Sequence, residues 1–171
     1  MDNDILIRKA KVEDAEDIIN HLKQILGESK FHTLTSEEFD KDIITEEQEI
    51  EDYLNSKNSL MLLCYYKNKL VGILTLKGGK RERTKHFGVL GINFKNEYCY
   101  LGLGTKLMLE MEKTVIEEKR LSKLSLEVHE KNTRAINFYK KLGYEFEGVK
   151  KDFFYEDGNY YNSIIMGKLM I

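Results

Sequence analysis

Proline is absent from this 171-residue chain, so native X-Pro isomerisation cannot be a slow step in its folding. Cysteine is scarce: Cys64 and Cys99 show neither CxxC nor Cys/His ligand spacing, which argues against a zinc site or a disulfide framework. Two buried thiols and no metal are the expectation. No run approaches the ~20 apolar residues of a membrane span, and the acidic opening Met1-Asp2-Asn3-Asp4 has no apolar signal region. A cytoplasmic protein without a membrane partner follows. A surplus of charge is also missing: 27 Lys and Arg stand against 29 acids, for a formal charge of −2, so no broad basic footprint for nucleic acid exists.

What remains is ordinary for a globular domain, with 42% apolar and 33% charged residues. The length suits one domain over 1–171 and is too short for two. Ile5–Lys9 reads as an opening strand, and residues 12–26 carry Ala15, Ile18, Ile19, Leu22 and Ile25 at helical spacing, with Gly27 as the stop. Residues 28–44 read as a loop or short helix, and 45–55 as a second helix. Leu60–Tyr66 and residues 70–76 form a hairpin about Lys67-Asn68-Lys69. After the basic turn Gly78-Gly79-Lys80-Arg81, a strand over Phe87–Phe94 feeds directly into a glycine-rich segment.

Leu103, Leu107, Met111 and Val115 next share one face of a helix ending near Arg120, opposite Glu110, Lys113, Glu117 and Glu118. Residues 125–129 alternate, with Leu126 and Val128 on one face and Ser125, Glu127 and His129 on the other, as in a half-buried strand. Asn132 caps a helix whose stripe is Ala135, Phe138, Tyr139 and Leu142 and whose stop is Gly143. Strands over 144–150 and 160–169 finish the chain around the turn Glu156-Asp157-Gly158-Asn159.

The segment Leu101-Gly102-Leu103-Gly104-Thr105 sits where strand gives way to helix. A helix N-terminus presents unpaired N–H groups and a positive dipole end, and glycines there let an anion approach the backbone. That suits a phosphate or pyrophosphate, and hence a nucleotide-like cofactor. Gly104-Thr105-Lys106 inverts the Gly-Lys-Ser/Thr order of a P-loop, and Leu107 stands where a dinucleotide fingerprint needs its third glycine. Neither an NTPase nor a dehydrogenase is supported.

The order of strand, Gly-x-Gly helix, strand Leu126-Glu127-Val128 and then Asn132-x-x-Ala135-x-x-Phe138-Tyr139-x-x-Leu142-Gly143-Tyr144 resembles the GNAT superfamily of acyl-CoA-dependent N-acetyltransferases. The resemblance covers essentially the whole chain. It implies an α/β (α+β) fold: a single GNAT-type domain with a mixed, mostly antiparallel sheet of about seven strands, splayed at the cofactor cleft and flanked by about four helices. It implies acetyl-CoA as cosubstrate, its pantetheine arm along Ile92 and Phe94, its pyrophosphate on the amides of Leu101, Gly102, Leu103, Gly104 and Thr105, and Asn132 reaching it from the far wall. The family often carries Gln or Arg at the position of Cys99 and Arg or Lys at that of Leu101, so Lys106 or Lys141 is expected to supply charge to the phosphates.

Acetyl transfer needs a neutral amine, a stabilised oxyanion and a proton for the departing thiolate. Tyr139 matches the family tyrosine that protonates the coenzyme sulfur, although a core tyrosine on an apolar stripe would look the same. Glu127, followed twelve residues later by Tyr139, resembles the base of N-terminal alanine acetyltransferases, and a solvent-facing strand glutamate is the plain alternative. A backbone N–H between Ile92 and Phe94 would meet the oxyanion. His129 is left out as partly exposed polar surface, and Cys99 as a nucleophile lacks a partner histidine.

Between Glu37 and Asp52 nine acids face one base, Lys41, which is either a lure for a cationic amine or a solvated helix face. Phe153-Phe154-Tyr155 with Tyr160-Tyr161 shapes an acceptor pocket, a homodimer contact or the core. The closing pattern Asp157-Gly158-x-Tyr160-x-Asn162-x-x-x-Met166 carries Asn162 where the family usually has Asp. The expected activity is direct acetyl transfer from acetyl-CoA to a primary amine of a small molecule, amino acid or peptide N-terminus. The alternatives are a CoA-binding sensor or interaction module without transferase activity, and a nucleotide-binding regulator.

Overall fold

Lys67 and Asn68 adopt φ of 49° and 61°, the paired left-handed conformation of a two-residue type I′ turn, and so join β2 (Leu60–Tyr66) to β3 (Lys69–Gly78) as the expected hairpin. The computed structural model describes residues 4–118 and 121–170. Its seven-stranded sheet adds β1 (Ile5–Lys9), β4 (Phe87–Phe94), β5 (Lys123–His129), β6 (Glu145–Glu156) and β7 (Asn159–Leu169) in the order β1-β2-β3-β4-β5-β7-β6. Every neighbouring pair is antiparallel except β4 with β5.

Among the described residues four α-helices cover the two faces. On one side α1 (Ala15–Glu28) and α2 (Ile43–Asn55) bury Ile18 and Ile50 against Met61, Leu63 and Ile73. On the other, α3 (Leu103–Glu117) and α4 (Thr133–Lys141) bury Leu107, Met111 and Tyr139 against Leu62, Leu74, Leu90 and Leu126. Covering both faces is what allows Leu60-Met61-Leu62-Leu63-Cys64 to be apolar without alternation, and all five are buried.

Several boundaries differ from the sequence expectations for local reasons. A 3-10 turn at Val12–Asp14 precedes α1, and Gly27 lies inside that helix, which continues to Glu28. Asp42 caps α2 by accepting from the Thr45 N–H at 2.7 Å, so α2 starts two residues early, and 29–42 holds no helix. Between β4 and α3 a 3-10 turn, Asn96–Tyr98, intervenes, so the strand does not feed the glycine segment directly. The helix end expected near Arg120 falls outside the described residues, α3 being helical to Glu117. Irregularities between Phe146 and Gly148 and between Lys150 and Phe154 let β6 run on to Glu156.

Candidate active site

β4 and β5 pair only over Phe87–Val89 and residues 123–125, and beyond that point they separate. The gap opens a cleft of about 910 Å³. The β5-facing edge of β4 past Val89 keeps backbone donors and acceptors that no strand satisfies, which suits an extended ligand that pairs like an added strand. Ile92 and Phe94 lie on that stretch and line the cleft.

The N-terminus of α3 closes one end. Gly102 is its cap at φ 75°, a conformation L-residues rarely adopt, and being glycine it offers the first helical amides no capping side chain. A Cβ on Gly104 would stand 3.4 Å from Phe138 Cζ and 3.7 Å from the Phe94 ring, narrowing the cleft. Gly102, Gly104 and Thr105 line it. The side chains of Leu101, half-exposed, and Leu103, in the core, do not, so only their backbone can serve a ligand there. Lys106 also lies outside the cleft wall. Amides at a helix dipole's positive end, with no Cβ at 102 and 104, fit the diphosphate of coenzyme A.

From α4 and its cap come Asn132 and Tyr139, the two residues of the motif, and Lys141, one of the two lysines expected to supply charge. Asn132 Oδ1 accepts from the Ala135 N–H at 3.2 Å and so caps the helix. Arg134, which the motif did not reveal, lines the same wall with its guanidinium carbon 5.8 Å from the Tyr100 ring centroid. Its signal was its place in the first turn beside the cap. Tyr139 is 7% exposed, between Phe138 and Tyr144 at 5.4 and 5.9 Å between ring centroids. Burial pushes its pKa upward, so it is a neutral phenol, the form an acid requires.

The opposite wall belongs to the α1 side of the sheet. Glu127 lines the cleft and accepts from Lys150 Nζ at 2.5 Å. His129, expected at the surface, is 3% exposed and lines the cleft as well, a correction that follows from the aromatic rings around it. Asn93 contributes from β4, its Oδ1 2.6 Å from Nε2 of buried His21, whose pKa burial lowers to about 4. Neither residue of that pair stood out in the sequence, because a histidine inside a helical stripe carries no distinguishing spacing.

Other expectations resolve plainly. Cys99 is not a buried thiol: it is partly exposed at the cleft, with Sγ 3.6 Å from the Lys95 carbonyl. None of the carboxylates in 37–52 lines the cleft. Lys41 pairs with Glu46 and Glu49, Lys77 also pairs with Glu49, and Asp42 serves as a cap. Phe153 and Phe154 do line the cleft, whereas Tyr155 and Tyr160 stack in solvent at the hairpin tip. Asn162 donates its amide N–H to Glu130 at 3.0 Å while its Oδ1 accepts from the Asp152 N–H. An aspartate there would set two carboxylates together, and the amide avoids that repulsion. Among the described residues no His, Cys, Asp or Glu cluster could hold a metal, and no helix is long and apolar enough to cross a membrane.

A splayed sheet, a glycine-led helix end and a buried phenol in one cleft define a protein built to hold an acyl-CoA. The model of the acetyltransferase (GNAT) domain matches residues 7–165, and the chain belongs to that family. Members of the family use acetyl-CoA or CoA as cosubstrate. The GNAT-family acetyltransferase of Streptococcus pneumoniae is 28% identical with a TM-score of 0.92, over 96% of this chain and 98% of that one. The L-amino acid N-acetyltransferase AaaT of Escherichia coli (strain K12) is 31% identical over 58% of this chain, a match spanning 62% of that protein's length. N-alpha-acetyltransferase 50 of Danio rerio is 22% identical over 85% of this chain and 82% of its own.

Proposed function

We propose that this chain transfers an acetyl group from acetyl-CoA directly to a primary amine, with Tyr139 as the acid and Glu127 as the base. The observation that carries this reading is their meeting in one cleft with the N-terminus of α3. Bound acetyl-CoA supplies an activated thioester. The amides of Gly102, Gly104 and Thr105 hold the diphosphate, and Arg134 and Lys141 bring positive charge to the phosphates. The free edge of β4 at Ile92 and Phe94 orients the pantetheine arm, and a backbone N–H there stabilises the developing oxyanion. Glu127 takes the ammonium proton through water, which frees the amine's lone pair. The freed amine attacks the thioester carbonyl. As the C–S bond breaks, Tyr139 donates its phenolic proton to the departing sulfur, whose thiol has a comparable intrinsic pKa. The surplus proton on the new amide nitrogen passes through water to restore the phenol.

One of these relatives is named for L-amino acids and the other for N-alpha-acetylation, and together the names favour an acceptor with an α-amine for this chain too. The test is incubation with acetyl-CoA and a panel of amino acids, their amides, peptides, polyamines and aminoglycosides, with free CoA followed by a thiol reagent and products by mass. Acetylated product supports the reading. Coenzyme binding without CoA release across the whole panel would make the protein a binding module instead.

A further inference from the structure

His129 and Ser163 face each other across β5 and β7 in the ladder. Both line the cleft, at 3% and 0% exposure, and His129 Nε2 and Ser163 Oγ are shielded polar atoms with no hydrogen-bond partner among the described residues. Buried polar atoms are ordinarily paired, so two adjacent orphans in a cleft wall point to a ligand that completes them.

The tautomer of the imidazole decides what that ligand offers. His129 Nδ1 accepts the Lys131 N–H at 3.1 Å, so its proton sits on Nε2, which is a donor. Protonating Nδ1 would set two N–H groups against each other, and the ring therefore stays neutral with or without an occupant. Burial acts in the same direction. The Ser163 hydroxyl adds a second uncharged donor. Phe31, Phe154 and Tyr161 ring the imidazole at centroid distances of 5.3, 4.6 and 5.1 Å. Neutral donors in an aromatic collar suit an uncharged oxygen, whereas they compensate poorly for stripping water from a carboxylate.

We propose that His129 Nε2–H and Ser163 Oγ–H together bind the carbonyl oxygen of the acceptor, so that the site selects aminoacyl amides and peptide amino termini over free amino acids. The proposal rests on the transferase reading above and names its substrate class. Glu127 precedes His129 by two residues on the same face of β5, about 7 Å along the strand, so the base and the carbonyl site address neighbouring atoms of one acceptor. Phe31, 40% exposed on the 29–42 connection, is the ring an entering acceptor displaces.

Three amines sharing one side chain test this: L-leucinamide, L-leucine and 3-methylbutylamine. With saturating acetyl-CoA, kcat/KM is expected to be highest for leucinamide. Ser163→Ala should lower the leucinamide to 3-methylbutylamine ratio about tenfold, mainly through KM, and His129→Phe, which keeps an aromatic ring, should do the same. Preference for leucine, or an unchanged ratio in both variants, overturns the proposal and leaves ordered water as the partner of the two atoms. A second readout needs no turnover: in 15N-histidine-labelled protein loaded with CoA, leucinamide should shift the His129 Nε2–H resonance while Nδ1 remains an acceptor. An unmoved resonance overturns the proposal. Protein that binds acetyl-CoA yet acetylates none of the three amines would fail the transferase reading, and the resonance would still judge the pocket.

Discussion

Lys150 Nζ lies 2.5 Å from the Glu127 carboxylate, so the proposed base is already paired before an amine arrives. Both side chains are more than a third exposed, and such a pair is weak enough for an entering ammonium to compete for the same oxygens. Glu127→Gln is therefore expected to lower kcat/KM about 100-fold, whereas Lys150→Met, which frees the carboxylate, keeps most of the rate. Steady-state kinetics across pH on both variants checks this. Equal losses would assign the pair to structure.

Tyr139→Phe removes a hydroxyl and leaves the ring between Phe138 and Tyr144. The expected result is a kcat lower by about 100-fold, with coenzyme affinity within about twofold because the proposed phosphate contacts lie on other residues. Single-turnover rates and calorimetry separate the two quantities. A loss of affinity matching the loss of rate would place the phenol in binding instead.

Arg134 and Lys141 line the cleft and Lys106 does not. Arg134→Ala and Lys141→Ala should each weaken CoA binding about fivefold, the scale of a partly exposed charge-assisted contact. Lys106→Ala should leave it nearly unchanged. Gly104→Val should weaken binding the most, because a Cβ at 104 already touches the Phe138 ring at 3.4 Å and the two methyl groups beyond it would occupy the cleft that Gly104 lines. Calorimetric titration of the four variants with CoA tests the ranking, which fails if Lys106→Ala is the weakest of the three alanine variants.

His21 is buried and neutral, its pKa about 4 against an ordinary 6.5. Between those values the unfolded chain binds a proton that the folded one refuses, so stability rises with pH through that window. The contribution is complete above pH 6.5 and is lost as pH falls toward 4, by about 3 kcal/mol if fully expressed. Urea melts from pH 4 to 7.5 should show this slope, and His21→Leu should flatten it. A wild-type midpoint independent of pH over that range would contradict the assignment.

Helix and strand positions were legible wherever one face was buried, because period and burial then coincide. Leu103, Leu107, Met111 and Val115 read as a stripe and are all buried. Boundaries set by single hydrogen bonds were less legible, as the Asp42 cap of α2 shows. Of the residues proposed for the site, Ile92, Phe94, Gly102, Gly104, Thr105, Glu127, Asn132 and Tyr139 line the cleft and stand in motifs whose spacing encodes their position, whereas of the two lysines offered as charge only Lys141 lines it. Arg134, Asn93, His129 and Ser163 were not legible as members of one site, since nothing in their spacing relates them.

The chain's own order of residues determined the family, the glycine-led helix end and the placement of Tyr139, because these depend on local conformation and on separations along one or two consecutive elements. Only the tertiary structure decided where β4 and β5 part, which cations line the cleft, and that His129 and Ser163 stand buried as register partners with atoms unpaired among the described residues. Those outcomes depend on pairing between strands distant in sequence and on burial from several sides, and neither quantity is carried by any one segment.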